Sequence, residues 1–149
     1  MKTLTTLLVI GMFATAVAIA DDVDDVKAAL QGHFDAVNSG DVNAFVRYYP
    51  SESSSFVGGG LLGKFNLEDR RKNFQAGVDA GQKRNLRLQH VEVKIYGSTA
   101  IATGYLVGTA VNPPNNSVLQ LRMQRTAVLV KQGGQWKEVH HHRSALFPQ

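Results

Sequence analysis

The sequence predicts an α+β domain in which helices come first and cover an antiparallel sheet built from the strands that follow. Three observations predict it. Apolar residues recur every three to four positions before Gly81 and at every second position after it. Gly40, Pro50, Gly81, Gly97 and Gly133-Gly134 punctuate the chain at element-sized intervals. The length of 149 residues, with 44% hydrophobic and 19% charged side chains, suits one ordinary folded domain. The absence of cysteine excludes disulfides, cysteine nucleophiles and thiolate metal sites.

Residues 1–20 read as an export signal. Met1-Lys2 is a short positive start, Leu4 to Ile19 is an apolar run, and Ala18-Ile19-Ala20 is a small-x-small cleavage pattern before Asp21-Asp22. Thr5, Thr6, Gly11 and Thr15 interrupt the run, and it is short for a single-pass anchor of about 20 apolar residues. The expectation is therefore a periplasmic or secreted domain over 21–149, with no membrane association after signal removal. Losing Lys2 leaves 15 basic against 12 acidic groups, a net +3. Arg70, Arg71 and Lys72 are flanked by Glu68 and Asp69, so no single-sign run favours nucleic acid.

Val23, Val26, Ala29 or Leu30, His33 or Phe34, and Val37 place one apolar stripe on a first helix, with Asp21 or Asp22 available as its cap and Gly40 as its stop. A second helix, Val42 to Tyr49, is capped by Asp41 and ended by Pro50. Residues 51–64 predict a short strand at Phe56-Val57 and a glycine-rich turn. Gly59 to Lys64 nearly matches a phosphate loop, but Phe65 stands where a magnesium-binding hydroxyl belongs. Asn66 and Asp69 form a capping box opening a third helix that buries Phe74 and Val78.

Four strands follow as a meander. In the first, Leu86 and Leu88 share one face and Val91, Val93 and Ile95 the other, which predicts a bulge or twist near His90. Thr99 to Thr109, Val118 to Lys131 and Trp136 to Leu146 are the next three, joined by the turn at 112–116 and by Gly133-Gly134.

The stretch from Arg125 to Ser144 (RTAVLVKQGGQWKEVHHHRS) resembles the terminal hairpin of SnoaL-like proteins, closest to the association domain of calcium/calmodulin-dependent kinase II and its bacterial relatives. The Gly40-Asp41 step and the stretch Val93 to Ala100 also fit. This resemblance places the chain in the nuclear transport factor 2 and ketosteroid isomerase superfamily. It implies a cystatin-like cone: N-terminal helices packed on a curved antiparallel sheet of four to six strands around a deep cavity, in a homodimer or higher homo-oligomer. Members include isomerases, dehydratases, cyclases and assembly domains, so the fold does not name a reaction. Arg143 matches an arginine position of the association domains, whereas Ala127 and Ile101 replace two others.

Two hairpin registers are open. A two-residue turn at Gly133-Gly134 groups Arg125 with Trp136, His140 and His142; a longer or bulged turn groups it with His141 and Arg143. The paired cavity arginines of the resembled family favour the second. The candidate ligand set is then Arg125, His141, Arg143, Tyr105, Tyr48 and Tyr49, suited to a small carboxylate or polar organic molecule; the alternative is that the arginines pair with Glu92, Glu138 or a helix carboxylate and only hold the fold. For catalysis the candidates are His141 as base with Tyr105 or an arginine stabilising an oxyanion, in a cofactor-free isomerase, dehydratase or cyclase. Glu138, by strand parity, falls opposite His141. His140 and His142 share a face and form an alternative metal pair lacking an evident third ligand. A homo-oligomeric assembly role through the outer sheet is the third reading.

Overall fold

The computed structural model describes residues 5–56 and 60–146, with side chains from Asp21 onward. Helix α1 spans Thr5–Ser39 and runs straight through Asp21 and Asp22, so neither caps it; Gly40, at φ 73°, ends it. The expected export signal lies within 1–20, whose side chains are outside the described residues. Among the described residues no helix is long and apolar enough to cross a membrane.

Helix α2 covers Val42–Val46, and the Asp41 side chain accepts the Ala44 N–H at 2.8 Å as its cap. It stops short of Tyr49 because Arg47, Tyr48 and Tyr49 bond back to the residue three positions earlier, a tighter winding that Pro50 then ends. Strand β1 (Glu52–Phe56) and strand β2 (Leu62–Asn66) form a hairpin. Val57, Gly58 and Gly59, on which the end of the expected strand and part of the glycine-rich turn fall, lie outside the described residues, and Lys64 of the near phosphate-loop match sits in β2. Asn66 and Asp69 close the capping box in both directions and open α3 (Leu67–Asp79), which buries Phe74.

Strands β3 (Lys83–Tyr96), β4 (Thr99–Asn112), β5 (Ser117–Gln132) and β6 (Gln135–Ala145) form the expected meander. The whole sheet has the order β2-β1-β6-β5-β4-β3. The expected cone is corrected in two ways. The sheet is mixed, because β1 runs parallel to β6 through Ser54–His140 and Ser55–His141. It is also open rather than rolled into a cone, since β2 and β3 are unpaired outer edges. The reason lies in β1: a polar Glu-Ser-Ser-Ser-Phe segment carries little strand signal, and its parallel neighbour is distant in the sequence.

One face of this sheet is covered by helices. Phe34, Val37, Phe45, Val46, Tyr49 and Phe74 pack with Leu86 and Leu106 at one end of α1. Val26 and Leu30 pack with Ala100, Ala102, Ala127, Leu129 and Trp136 at the other. A bulge in β3 makes this possible: His90 and Val91 oppose Gly104, and His90 takes φ 51°. The bulge shifts the parity, so Val91, Val93 and Ile95 pack on the same core side as Leu88.

Gly108 makes the closest backbone approach. At φ 140°, a Cβ there would lie 2.0 Å from the Asn85 carbonyl oxygen. Gly108→Ala is expected to lower the unfolding free energy by about 2–3 kcal/mol, combining left-handed strain with displaced backbone. Urea denaturation checks this, and a loss within experimental error would refute the tight packing of β3 on β4.

Candidate functional site

The turn at Gly133-Gly134 contains two residues, with Gln132 opposite Gln135. By itself that would set Arg125 opposite His142. A second bulge intervenes: Leu129 faces Glu138 and Val128 faces His140, leaving Val139 as the extra residue of β6. Beyond it Arg125 pairs with Arg143 and Ala127 with His141. The bulge also corrects the expectation for Glu138. Odd spacing places it opposite His141 in a regular strand, yet here both side chains turn to the helix-covered face.

The result is a buried chain of three side chains. Arg125 Nη2 donates to Glu138 Oε2 at 2.6 Å, and His141 Nδ1 lies 2.7 Å from Glu138 Oε1. Glu138 is 2% exposed, Arg125 5% and His141 6%. Burial acts to raise the Glu138 pKa, but the Arg125 guanidinium and the His141 hydrogen bond outweigh it and hold the carboxyl well below its usual range. Burial lowers the His141 pKa, with Glu138 opposing only in part, because an imidazolium here would add a second cation against one carboxylate. At neutral pH His141 is therefore uncharged. An ionised carboxylate only accepts, so Nδ1 carries the ring proton and Nε2 keeps its lone pair.

His141 opens onto a cavity of about 300 Å³ between helices and sheet. Phe34, Val37, Phe45, Phe74 and Leu86 form its apolar wall; Tyr49, Ser55, Arg70, Arg84, Arg125 and Arg143 supply its polar groups. Tyr49 is carried in by the chain after α2, which is tied to β6 by Glu138 N–H donating to the Tyr48 carbonyl at 2.8 Å. Burial pushes the Tyr49 phenol above its ordinary range, so it stays protonated. His33, from α1, stands among the Phe34, Phe45, Tyr48 and Tyr49 rings. Burial pushes its pKa down to about 3, and its Nδ1 has no partner among the described residues.

Of the candidate residues, Arg125, His141, Arg143 and Tyr49 thus line one cavity, with Arg143 exposed at its mouth. Arg125 is occupied by Glu138, as the alternative pairing in the sequence allowed. Tyr48 is elsewhere, packed across α1 at Gly32, where a Cβ would meet its hydroxyl. Tyr105 lies on the opposite sheet face: Gly104 and Leu106 point inward, and Tyr105 is 40% exposed with its ring 6.1 Å from His90. It cannot stabilise an oxyanion formed beside His141. His140 and His142 share the outer face, both against Phe56, and His140 Nδ1 is 2.8 Å from Ser54 Oγ. Among the described residues no group of three or more histidine, cysteine, aspartate or glutamate residues is placed to hold a metal. Sequence reasoning missed Arg70 as a member of the site, read Glu138 only as a structural counter-charge, and read His33 only as part of the apolar stripe of α1.

The SnoaL-like domain model matches residues 26–148. The chain belongs to the SnoaL-like family. Solved structures share its fold. One neighbour is a nuclear transport factor 2-like superfamily protein from Salmonella enterica serovar Typhimurium, with TM-score 0.72 and 18% identity over 85% of this chain and 92% of that one. Another is a ketosteroid isomerase-like protein from Erwinia carotovora, with TM-score 0.69 and 17% identity over 85% and 98%. A calcium/calmodulin-dependent kinase II hub from S. rosetta has TM-score 0.67 and 26% identity over 83% and 96%. No curated protein matches the sequence.

Glu138→Gln leaves Arg125 buried without its counter-charge and is expected to cost about 3–5 kcal/mol in denaturant unfolding; a cost below about 1 kcal/mol would sink the assigned pairing. His33 binds its proton near pH 6.5 when unfolded and near about 3 when folded. Its contribution is complete above pH 6.5 and is lost as pH falls toward 3, up to about 5 kcal/mol across that window. His33→Phe is expected to flatten the fall in stability between pH 6.5 and 4; an unchanged slope contradicts the burial of a neutral imidazole.

Proposed function

We propose that this SnoaL-like domain is a cofactor-free acid–base enzyme acting on a small organic acid. The carrying observation is the buried His141–Glu138 hydrogen bond, with His141 opening onto the cavity between helices and sheet. A pure binding site would show converging arginines without a base. Here a neutral imidazole is oriented by a carboxylate that is itself held by Arg125.

The chemistry follows from these groups. His141 Nε2 takes a proton from a carbon next to a carbonyl or carboxyl group, and Glu138 stabilises the imidazolium that forms. Tyr49 and Arg143 are placed on the same pocket to donate to the developing oxyanion. Return of the proton to another carbon of the substrate is an isomerisation. Delivery to a departing hydroxyl breaks the C–O bond and releases water, a dehydration. Neither outcome needs a co-reactant. The likeness to a ketosteroid isomerase-like protein supports proton transfer as the reaction class.

Export of the mature domain over 21–149 to the periplasm or medium is part of the proposal, supported by the Met1-Lys2 start and the Ala18-Ile19-Ala20 pattern. So is homodimer or higher homo-oligomer formation, supported by the exposed Ile101 and Tyr105 on the uncovered sheet face and by the likeness to a kinase hub.

Proton abstraction is read as hydrogen–deuterium exchange at carbon, followed by NMR over a panel of small unsaturated and keto acids. His141→Gln is expected to slow exchange by about 10²–10⁴-fold. Activity should rise with pH through an inflection below 6.5, because the base works only when neutral and its pKa is lowered by burial. Exchange that survives His141→Gln, or a profile that falls with rising pH in this range, rejects the base.

A further inference from the structure

Arg70 differs from the other arginines around the cavity. Arg125 is committed to Glu138, Arg84 donates to the Gln82 side chain, and Arg143 is exposed at the mouth. Arg70 projects from the first turns of α3 and is held on three sides. Its guanidinium carbon lies 4.5 Å from the Tyr49 ring centroid and 4.3 Å from that of Phe65. Its Nε donates to Ser53 Oγ at 2.9 Å. Two rings and a hydrogen bond therefore fix the plane of the guanidinium before any ligand arrives.

What remains free is the far edge of the fork. Among the described residues no acceptor bonds either terminal nitrogen, and Nη2 is sealed from solvent without a partner. A buried donor left unmet is a rare feature in a native protein and calls for an acceptor. Arg70 lines the same cavity as His141 and faces no carboxylate there, since Glu138 is turned to Arg125 and His141. The wall beside it is apolar: Phe74 follows one turn later on α3, and its ring stacks on that of Phe45 at 4.1 Å.

We infer that Arg70 is the specificity-determining residue of the pocket: its pre-set fork receives the carboxylate of an acid whose apolar, unsaturated or aryl body lies against Phe34, Phe45 and Phe74. A carboxylate oxygen meets Nη1, the terminal nitrogen that is not sealed from solvent, and the fixed plane of the guanidinium gives that contact direction as well as charge. Anchoring the acid at Arg70 turns the rest of the molecule toward His141 Nε2. The cavity has the volume of about ten water molecules, which limits the acid to a single small ring or short chain. The selection of an acid stands on Arg70 alone; its orientation for proton transfer rests on the acid–base reading above.

The test is isothermal titration calorimetry of the full chain with three probes: cinnamate, cinnamamide and inorganic phosphate. Cinnamate is expected to bind at least about tenfold more tightly than its uncharged amide, and phosphate at equal concentration should not displace it. R70Q should erase the acid-over-amide preference, whereas R122Q, an exposed arginine on the uncovered face of β5 and outside this cavity, should keep it. R70K, with charge but no planar fork, should lose at least about fivefold. Near-UV circular dichroism of the buried Trp136 reports whether each variant is folded; if R70Q is not, R70K and the acid–amide comparison on the native chain decide. Equal binding of acid and amide, a preference that survives R70Q, displacement by phosphate, or no cinnamate binding at millimolar concentration would each overturn the assignment. Cinnamate binding without carbon exchange on any acid rejects the base and leaves Arg70 standing. Exchange without acid preference rejects Arg70 and leaves the base.

Discussion

A carboxylate at 2% exposure persists only if its charge is answered, and Glu138 is answered on both oxygens. Arg125 takes one and His141 the other, so three polar side chains sit inside a helix-covered core without leaving that carboxylate open. The surrounding architecture depends on this arrangement. β5 supplies the arginine, β6 supplies the carboxylate and imidazole, and the chain after α2 bonds to β6 at Glu138 itself. Removing any one member leaves a buried charge or donor facing nothing, which is why the site and the stability of this end of the sheet are one problem.

Two irregularities in otherwise regular strands make that arrangement possible. The bulge at His90 and Val91 turns Val91, Val93 and Ile95 to the core beside Leu88, and it exists where Gly104 offers no side chain to obstruct it. The bulge at Val139 turns Glu138 and His141 to the same face although three positions separate them. Without the second, the carboxylate and the imidazole would point to opposite sides of the sheet, and the arginine of β5 would face His142.

The cavity also divides its cations by task. Arg125 is an internal counter-charge, Arg84 is tied to Gln82, and Arg143 keeps contact with water. Arg70 is clamped by Tyr49, Phe65 and Ser53 with its terminal edge free. A neutral imidazole, a clamped arginine with unpaired terminal nitrogens and stacked phenylalanines thus line one small cavity. Membership in the SnoaL-like family supplies the scaffold, which does not by itself name a reaction.

Local patterns alone determined much of the fold: the stripe on α1 and its stop at Gly40, the caps at Asp41 and at Asn66-Asp69, the four-stranded meander, and the bulge near His90. Each is a relation among residues within about a dozen positions, where periodicity and capping act directly. Arg125, His141 and Arg143 were legible together through the resemblance of the last hairpin, though through a bulge at Val139 rather than at the turn. Tertiary structure decided the rest. The parallel seating of β1 on β6, which makes the sheet mixed, joins segments far apart in sequence. The inward turn of Glu138 hangs on one inserted residue that reverses parity, the exclusion of Tyr105 on the uncovered face hangs on which side the helices took, and the clamp on Arg70 draws on β1, β2, α3 and the turn after α2. Distance along the chain hides such contacts, because no local pattern records which surfaces will meet once the helices settle on the sheet.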